Sequence, residues 1–263
     1  MRNEERGIKG GRRLVLACFL AGAGTLALGQ AASVEREEFL RTAPVITVAK
    51  EESTGRTNAW KVYLNDGQQA SRAIFKYIHR PRPTLLPSSY QYELAAYALN
   101  KLLGLDLVPV TVERAIDGRT GSLQCFCEGT MTEAFRRRQN LKPPDVSILQ
   151  NAFSELGIFE NLTNNPREDA SDILINTKDW KVWRVDFSEA FAPDTVLLPD
   201  SPFPRCSKGL YAALRGISDD RIREQLKAYL NGEELEALLV RKRLILDRLD
   251  ALIRDKGEEA VLF

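Results

Sequence analysis

Arg72-Ala73-Ile74-Phe75-Lys76-Tyr77-Ile78 and, after a proline-rich connection, Ser88-Ser89-Tyr90-Gln91-Tyr92-Glu93-Leu94-Ala95-Ala96-Tyr97 together decide the fold. The first segment reads as a strand, with Ala73, Phe75 and Tyr77 on one face and Ile74, Lys76 and Ile78 on the other. A lone lysine among apolar neighbours is unusual there. The second segment opens a helix over Tyr90 to Leu103, with apolar residues at helical spacing, a Ser88-Ser89 cap and Gly104 as its stop. A strand lysine aimed at nucleotide phosphates needs a carboxylate to hold it extended, and Glu93 on the helix is the candidate. The bland alternative is a Lys76 that snorkels to the surface and a Glu93 that faces water.

Working outward, Val45 to Ala49 and Trp60 to Leu64 read as strands, and Asn65-Asp66-Gly67 supplies the turn into the Lys76 strand. Val108 to Ile116 and Ser122 to Cys127 form a second strand pair joined by Asp117-Gly118-Arg119-Thr120-Gly121. From about Pro143 the pattern is helical, interrupted at Ile173 to Phe187 by two short strands around a turn at Asn176 to Asp179. The tail, Ser218 to Ile253, reads as two amphipathic helices with Asn231-Gly232 between them.

The N-terminus is a different kind of segment. Arg12 and Arg13 close a charged head, Leu14 to Leu28 is an apolar run, and Gly29-Gln30-Ala31 offers small residues for cleavage. The run is short of the roughly twenty residues of a membrane span, so residues 1–31 are expected to be a bacterial-type signal peptide. Export to a periplasmic or extracellular location follows, with no transmembrane domain after cleavage. An uncleaved anchor is the lesser alternative, and Cys18 lies too early in the apolar run for a lipoprotein. Removal of residues 1–31 turns a formal charge of +1 into about −2, so neither nucleic acid nor anionic lipid is an expected general partner. Cys125, Cys127 and Cys206 then remain, as one disulfide involving Cys206 plus a free thiol or as three buried thiols.

Ala73-Ile74-Phe75-Lys76, Tyr90 to Tyr97, Leu102-Leu103-Gly104-Leu105 leading to Val108-Pro109, Gly121-Ser122-Leu123-Gln124 and Val185-Asp186-Phe187-Ser188-Glu189-Ala190-Phe191 carry a resemblance. Together they resemble the bacterial proteins related to the phosphatidylinositol-kinase-like and HipA-type atypical kinases, over Val45 to Leu252. The resemblance implies an α+β, two-lobed protein-kinase-like fold. Its N-lobe, an antiparallel sheet plus helix, spans 45–130, preceded by a linker at 32–44. A helical C-lobe spans 131–256, with the catalytic-loop region at 159–191 and a tail at 257–263.

The resemblance also implies a chemistry. Lys76 and Glu93 would position ATP, and Asp172 and Asp186 would hold Mg2+. The acceptor would be a hydroxyl on a protein, lipid or small molecule. The family's loop, Asn-x-Asp-Arg-His-x-x-Asn, puts its first Asn on Asn165 and its last on Asp172, but its catalytic Asp falls on Arg167. Glu168 and Asp169 take the Arg and His positions. An arginine stays protonated and only donates, so it cannot accept the proton of a substrate hydroxyl. Three readings follow: Asp169 takes the role in a loop rebuilt by Pro166; Asp172 and Asp186 serve a different phosphoryl transfer; or the chain is a pseudokinase that binds nucleotide or protein without turnover. Of the phosphate-covering loop, Ser53, Thr54 and the amides near Gly55 are the available contacts.

The remaining features take ordinary readings. His79 is the only histidine and is expected at the surface; Arg136-Arg137-Arg138 is expected to be a solvated helix face. The tail helices are expected to turn their charges outward. Asn161-Leu162-Thr163 fits the glycosylation pattern but sits inside a helix, which argues against modification.

Overall fold

The hairpin at Asn65-Asp66-Gly67 forms because Asp66 Oδ1 accepts from the amides of Gln68 and Gln69, while Gly67 takes a φ of +90°. It joins β2 (Trp60–Asn65) to β3 (Ala70–Lys76) in a five-stranded sheet. The structure is a computed structural model and describes residues 32–50, 58–166 and 169–263. The expected signal segment, Ser53, Thr54, Gly55, Arg167 and Glu168 therefore lie outside the described residues.

The sheet runs β1-β2-β3-β7-β6, with β1 at Val45–Ala49, β6 at Thr111–Ile116 and β7 at Arg119–Cys125, all neighbours antiparallel. Between β3 and α2 (Tyr90–Leu102) a small hairpin pairs β4 (His79–Arg80) with β5 (Ser88–Ser89). Trp60 faces Phe75, Val62 faces Ala73 and Leu123 faces Phe75, so one sheet face is apolar.

That face is covered by residues 32–42, a helix (α1) where a linker was expected. Its Phe39 and Leu40, with Ala43 just beyond, bury against Trp60, Val62, Phe75 and Leu123. The polar composition of 32–44 hides two well-placed apolar residues, and an open sheet face gives them something to cover.

The second lobe begins with β8 (Thr130–Thr132), which joins β9 (Ile173–Asn176) and β10 (Val182–Arg184) in a three-stranded sheet. Around it are α3 (Glu133–Arg138), α4 (Val146–Thr163), α5 (Lys208–Gly216), α6 (Asp219–Leu226), α7 (Gly232–Lys256) and α8 (Glu258–Val261). Its main core takes in Tyr92, Ala95, Ala96 and Leu99 of α2, so this helix belongs to both lobes. Residues 257–263, expected as a tail, are packed: Val261 is fully buried, the Cys206 amide donates to the Val261 carbonyl, and the Phe263 amide donates to the Cys206 carbonyl. The run Ala260-Val261-Leu262-Phe263 has apolar surface to bury, which explains the difference.

Several side chains depart from their expected exposure. Arg136 is half-buried against the buried Glu133, while Arg137, which also pairs with Glu133, and Arg138 are exposed as expected. Arg241 of α7 is buried and donates to the carbonyls of Leu162, Ala192 and Asp194. The tail helix therefore carries a charge inward, satisfied by carbonyl oxygens that no helix of its own claims. Asn161 is fully buried, donating to Gly157 and Ser201 and accepting from Leu198, which closes the glycosylation pattern. Cys125 and Cys127 are half-buried and Cys206 is buried, all as free thiols. Among the described residues no helix is long and apolar enough to cross a membrane.

Candidate functional site

Lys76 ends β3, paired with Ser122 of β7, where strand alternation turns it away from the apolar face. Its Nζ lies 2.5 Å from Glu93 Oε1, 2.7 Å from Asp186 Oδ1 and 3.1 Å from Ser188 Oγ. Three N–H donors thus meet three acceptors. The lysine side chain is 14% exposed and that of Glu93 is 2% exposed, so neither snorkels nor faces water. Burial pushes the ammonium pKa down, but the charges of Glu93 and Asp186 outweigh it, and the net displacement is upward. The lysine is a fixed cation.

Gly121 makes room for this strand end. A Cβ there would lie 2.2 Å from the Lys76 carbonyl oxygen and 2.8 Å from the Phe75 ring. Ser89 caps α2 by accepting from Gln91, and its own amide donates to the Ser188 carbonyl at 2.8 Å. Glu93 sits in the first turn, where the helix dipole favours a carboxylate. It also accepts from the amide of Phe187 at 3.0 Å, so one carboxylate holds both the lysine and the segment after Asp186.

Asp186 adopts a φ of +63°, which aspartate tolerates better than most residues. Asn165 Nδ2 donates to its carbonyl at 3.1 Å, and Ser188 Oγ lies 2.8 Å from Oδ1. Burial raises its carboxyl pKa, but the Lys76 charge and hydrogen bonds prevail and hold it at about 2. Its side chain is 42% exposed and reaches solvent while anchored.

The other two expected aspartates lie near but do different things. Asp172 Oδ2 is 3.2 Å from Nη1 of the buried Arg184. Its carboxyl is pushed up to about 6 by burial, with Arg184 opposing and the negative Asp186 adding to the rise. Asp169 is exposed and caps the short turn Ala170–Asp172 by accepting from the Ser171 amide at 2.7 Å. Its hydrogen bonds with Ser171 lower its pKa, so it stays ionised. The structure thus joins Lys76, Glu93 and Asp186 in direct contact and leaves Asp172 and Asp169 around them.

Sequence reasoning missed Ser188, Asn165 as a clamp on Asp186, and the buried Glu160–Arg184 pair behind Asp172. Ser188 falls within the Val185 to Phe191 segment that carries the resemblance, with no role assigned to it. Nothing local marks Glu160 or Arg184 as inward-facing. His79, exposed as expected, hydrogen-bonds Ser89 Oγ at 2.9 Å. A separate cavity of about 690 Å³ lies between α1, α2, β6 and α6, lined among others by Glu37, Arg41, Lys101, Glu113 and Arg221. It contains none of the Lys76 cluster.

No protein-family model matches the chain, and no curated protein does. Among solved structures it is similar to the Golgi casein kinase, with a TM-score of 0.61 over 88% of this chain and 78% of the other at 12% identity. The fold is kinase-like. At that identity the likeness establishes the fold alone, and within the kinase-like fold the Lys76 cluster sits where N-lobe strand, α2 and C-lobe meet.

Magnesium fits this donor set in a limited way. Asp186 offers an anchored, solvent-reaching carboxylate whose hydrogen bonds from Lys76 and Ser188 fall on Oδ1. Among the described residues no group of three or more histidine, cysteine or carboxylate side chains is placed to enclose an ion. Magnesium does not need one, because it commonly keeps several waters and takes one or two carboxylates with substrate phosphates.

Proposed function

We propose that this chain binds a nucleotide with magnesium between its lobes and transfers a phosphoryl group to a hydroxyl acceptor. The observation that carries the reading is the three-way contact of Lys76, Glu93 and Asp186, drawn from β3, α2 and the segment after β10. Glu93 keeps the lysine extended and charged, and Lys76 binds phosphate oxygens. Asp186 holds magnesium, with Asp172 beside it. Magnesium, when bound, neutralises charge on the phosphates. Asp169 is ionised and exposed, and it orients the acceptor hydroxyl by accepting its hydrogen. ATP is the nucleotide the fold suggests, and the acceptor is a protein, lipid or small molecule.

A second reading has its own observation. Asp169 Oδ1 is already committed to the Ser171 amide, and the loop position that would normally carry the catalytic carboxylate is Arg167. On that reading the chain is a pseudokinase, binding nucleotide or a protein partner without transfer.

Calorimetric titration of the full-length chain with ATP and magnesium, followed by assays of phosphate release and self-labelling, separates these outcomes. Binding that weakens by about tenfold or more in Lys76→Met, with turnover lost in Asp169→Ala, establishes the transferase. Binding without turnover, indifferent to Asp169→Ala and abolished by Asp186→Ala, leaves the pseudokinase. A folded protein that binds no nucleotide sinks the transferase and leaves only a pseudokinase that binds a protein partner.

A further inference from the structure

We infer that Arg184 takes the place of a second metal ion, so that the site loads a single divalent cation, on Asp186. This rests on the nucleotide-binding reading above and makes its metal requirement specific. Arg184 leaves β10 two residues before Asp186 and turns inward, where it is 2% exposed. Its guanidinium lies between two carboxylates, with Nε 3.6 Å from Glu160 Oε1 and Nη1 3.2 Å from Asp172 Oδ2. Nη1 also donates to the Val185 carbonyl at 2.6 Å, and Nη2 reaches the Pro166 carbonyl at 3.5 Å. Buried Nε makes no hydrogen bond, since 3.6 Å is too long for one. The arginine is therefore held by charge on both sides, not by a full set of hydrogen bonds.

Its chemistry decides the metal count. Arginine does not deprotonate in a protein, so Asp172 faces a permanent cation. A metal on Asp172 would have to share a carboxylate with that cation at short range and without full water screening. Asp186 has the opposite surroundings. Its own cationic partner is Lys76, which phosphate oxygens can take over, leaving the carboxylate to an ion. Asp172 has no such exchange available, because Arg184 is sealed in the core with Glu160 behind it.

The test counts ions directly. Manganese is titrated into full-length protein saturated with a non-hydrolysable ATP analogue, and free manganese is read by electron paramagnetic resonance. One bound ion per nucleotide is expected, lost in Asp186→Asn. In Asp172→Asn the ion stays, with affinity within about threefold of the wild type, as expected for a group outside its coordination shell. Replacing the buried pair together, as Glu160→Gln with Arg184→Met, avoids stranding one charge in the core and is expected to admit a second ion. Two ions in the wild type, or a loss of about tenfold or more in Asp172→Asn, would overturn the inference while leaving nucleotide binding intact. A folded double variant that still takes one ion would also overturn it. Absence of bound nucleotide would end both readings.

Discussion

Asp172 and Asp186 are neighbours displaced in opposite directions, and pH should separate them. Asp186 is held at about 2 against an ordinary 3.8, so it contributes stability that is present above 3.8 and is lost as pH falls toward 2. Asp172 is raised from 3.8 to about 6, so the native state binds its proton more tightly than the unfolded chain does. Its contribution is present below 3.8 and is lost as pH rises toward 6, a change on the order of 2–3 kcal/mol. Denaturation midpoints measured from pH 3 to 7 should show Asp172→Asn removing the decline toward pH 6. Asp186→Asn should flatten the acid limb instead. A wild-type profile with no decline between 4 and 6 would mean Asp172 is not perturbed as described. Lys76 was legible as a lone lysine in an apolar strand and Glu93 as the acid on the helix that follows it, whereas Asp186 was reached through the family resemblance. Arg184 and Glu160 were not, since burial of a charge is decided by partners brought from distant segments.

Element by element, the alternation of β2, β3 and β7 and the helical spacing of α2 were legible because their periods match their exposure. Helix α1 was not, because its sequence is mostly polar and the face it covers is assembled from four other elements. Gly121 shows how tightly these elements meet. Its Cα faces the Lys76 carbonyl across β3 and β7, so Gly121→Ala must displace a backbone atom at the strand end that carries the lysine. A destabilisation of about 1–3 kcal/mol is expected, as for overpacking elsewhere, with nucleotide affinity falling alongside it. Thermal melting and the same calorimetric titration check this. An alanine variant with wild-type melting would show that the contact can relax freely.

Across the whole molecule the lobes are also tied by a clasp on Glu234. Glu234, capping α7, accepts from Tyr92 of α2 at 2.6 Å and lies 3.3 Å from Arg82, whose Nη atoms also bind the carbonyls of Glu189 and Ala190. Glu234 is 2% exposed, so Glu234→Ala strands a tyrosine and an arginine and removes a capping box. Loss of about 3–5 kcal/mol in chemical denaturation is expected, with faster proteolysis of the 79–89 hairpin. A loss below about 1 kcal/mol would show that the core through α2 joins the lobes without it.

The contact between Lys76 and Asp186 also crosses from one lobe to the other, and on the proposed reading each partner is the one the other's ligand needs. An ion arriving at Asp186 releases the ammonium for phosphate, and phosphate arriving at Lys76 releases the carboxylate for the ion. Whichever ligand comes first meets the cost of opening the pair, and the second finds it open. On the proposed reading, nucleotide and metal are thermodynamically coupled with positive sign, by the same factor in either order of addition.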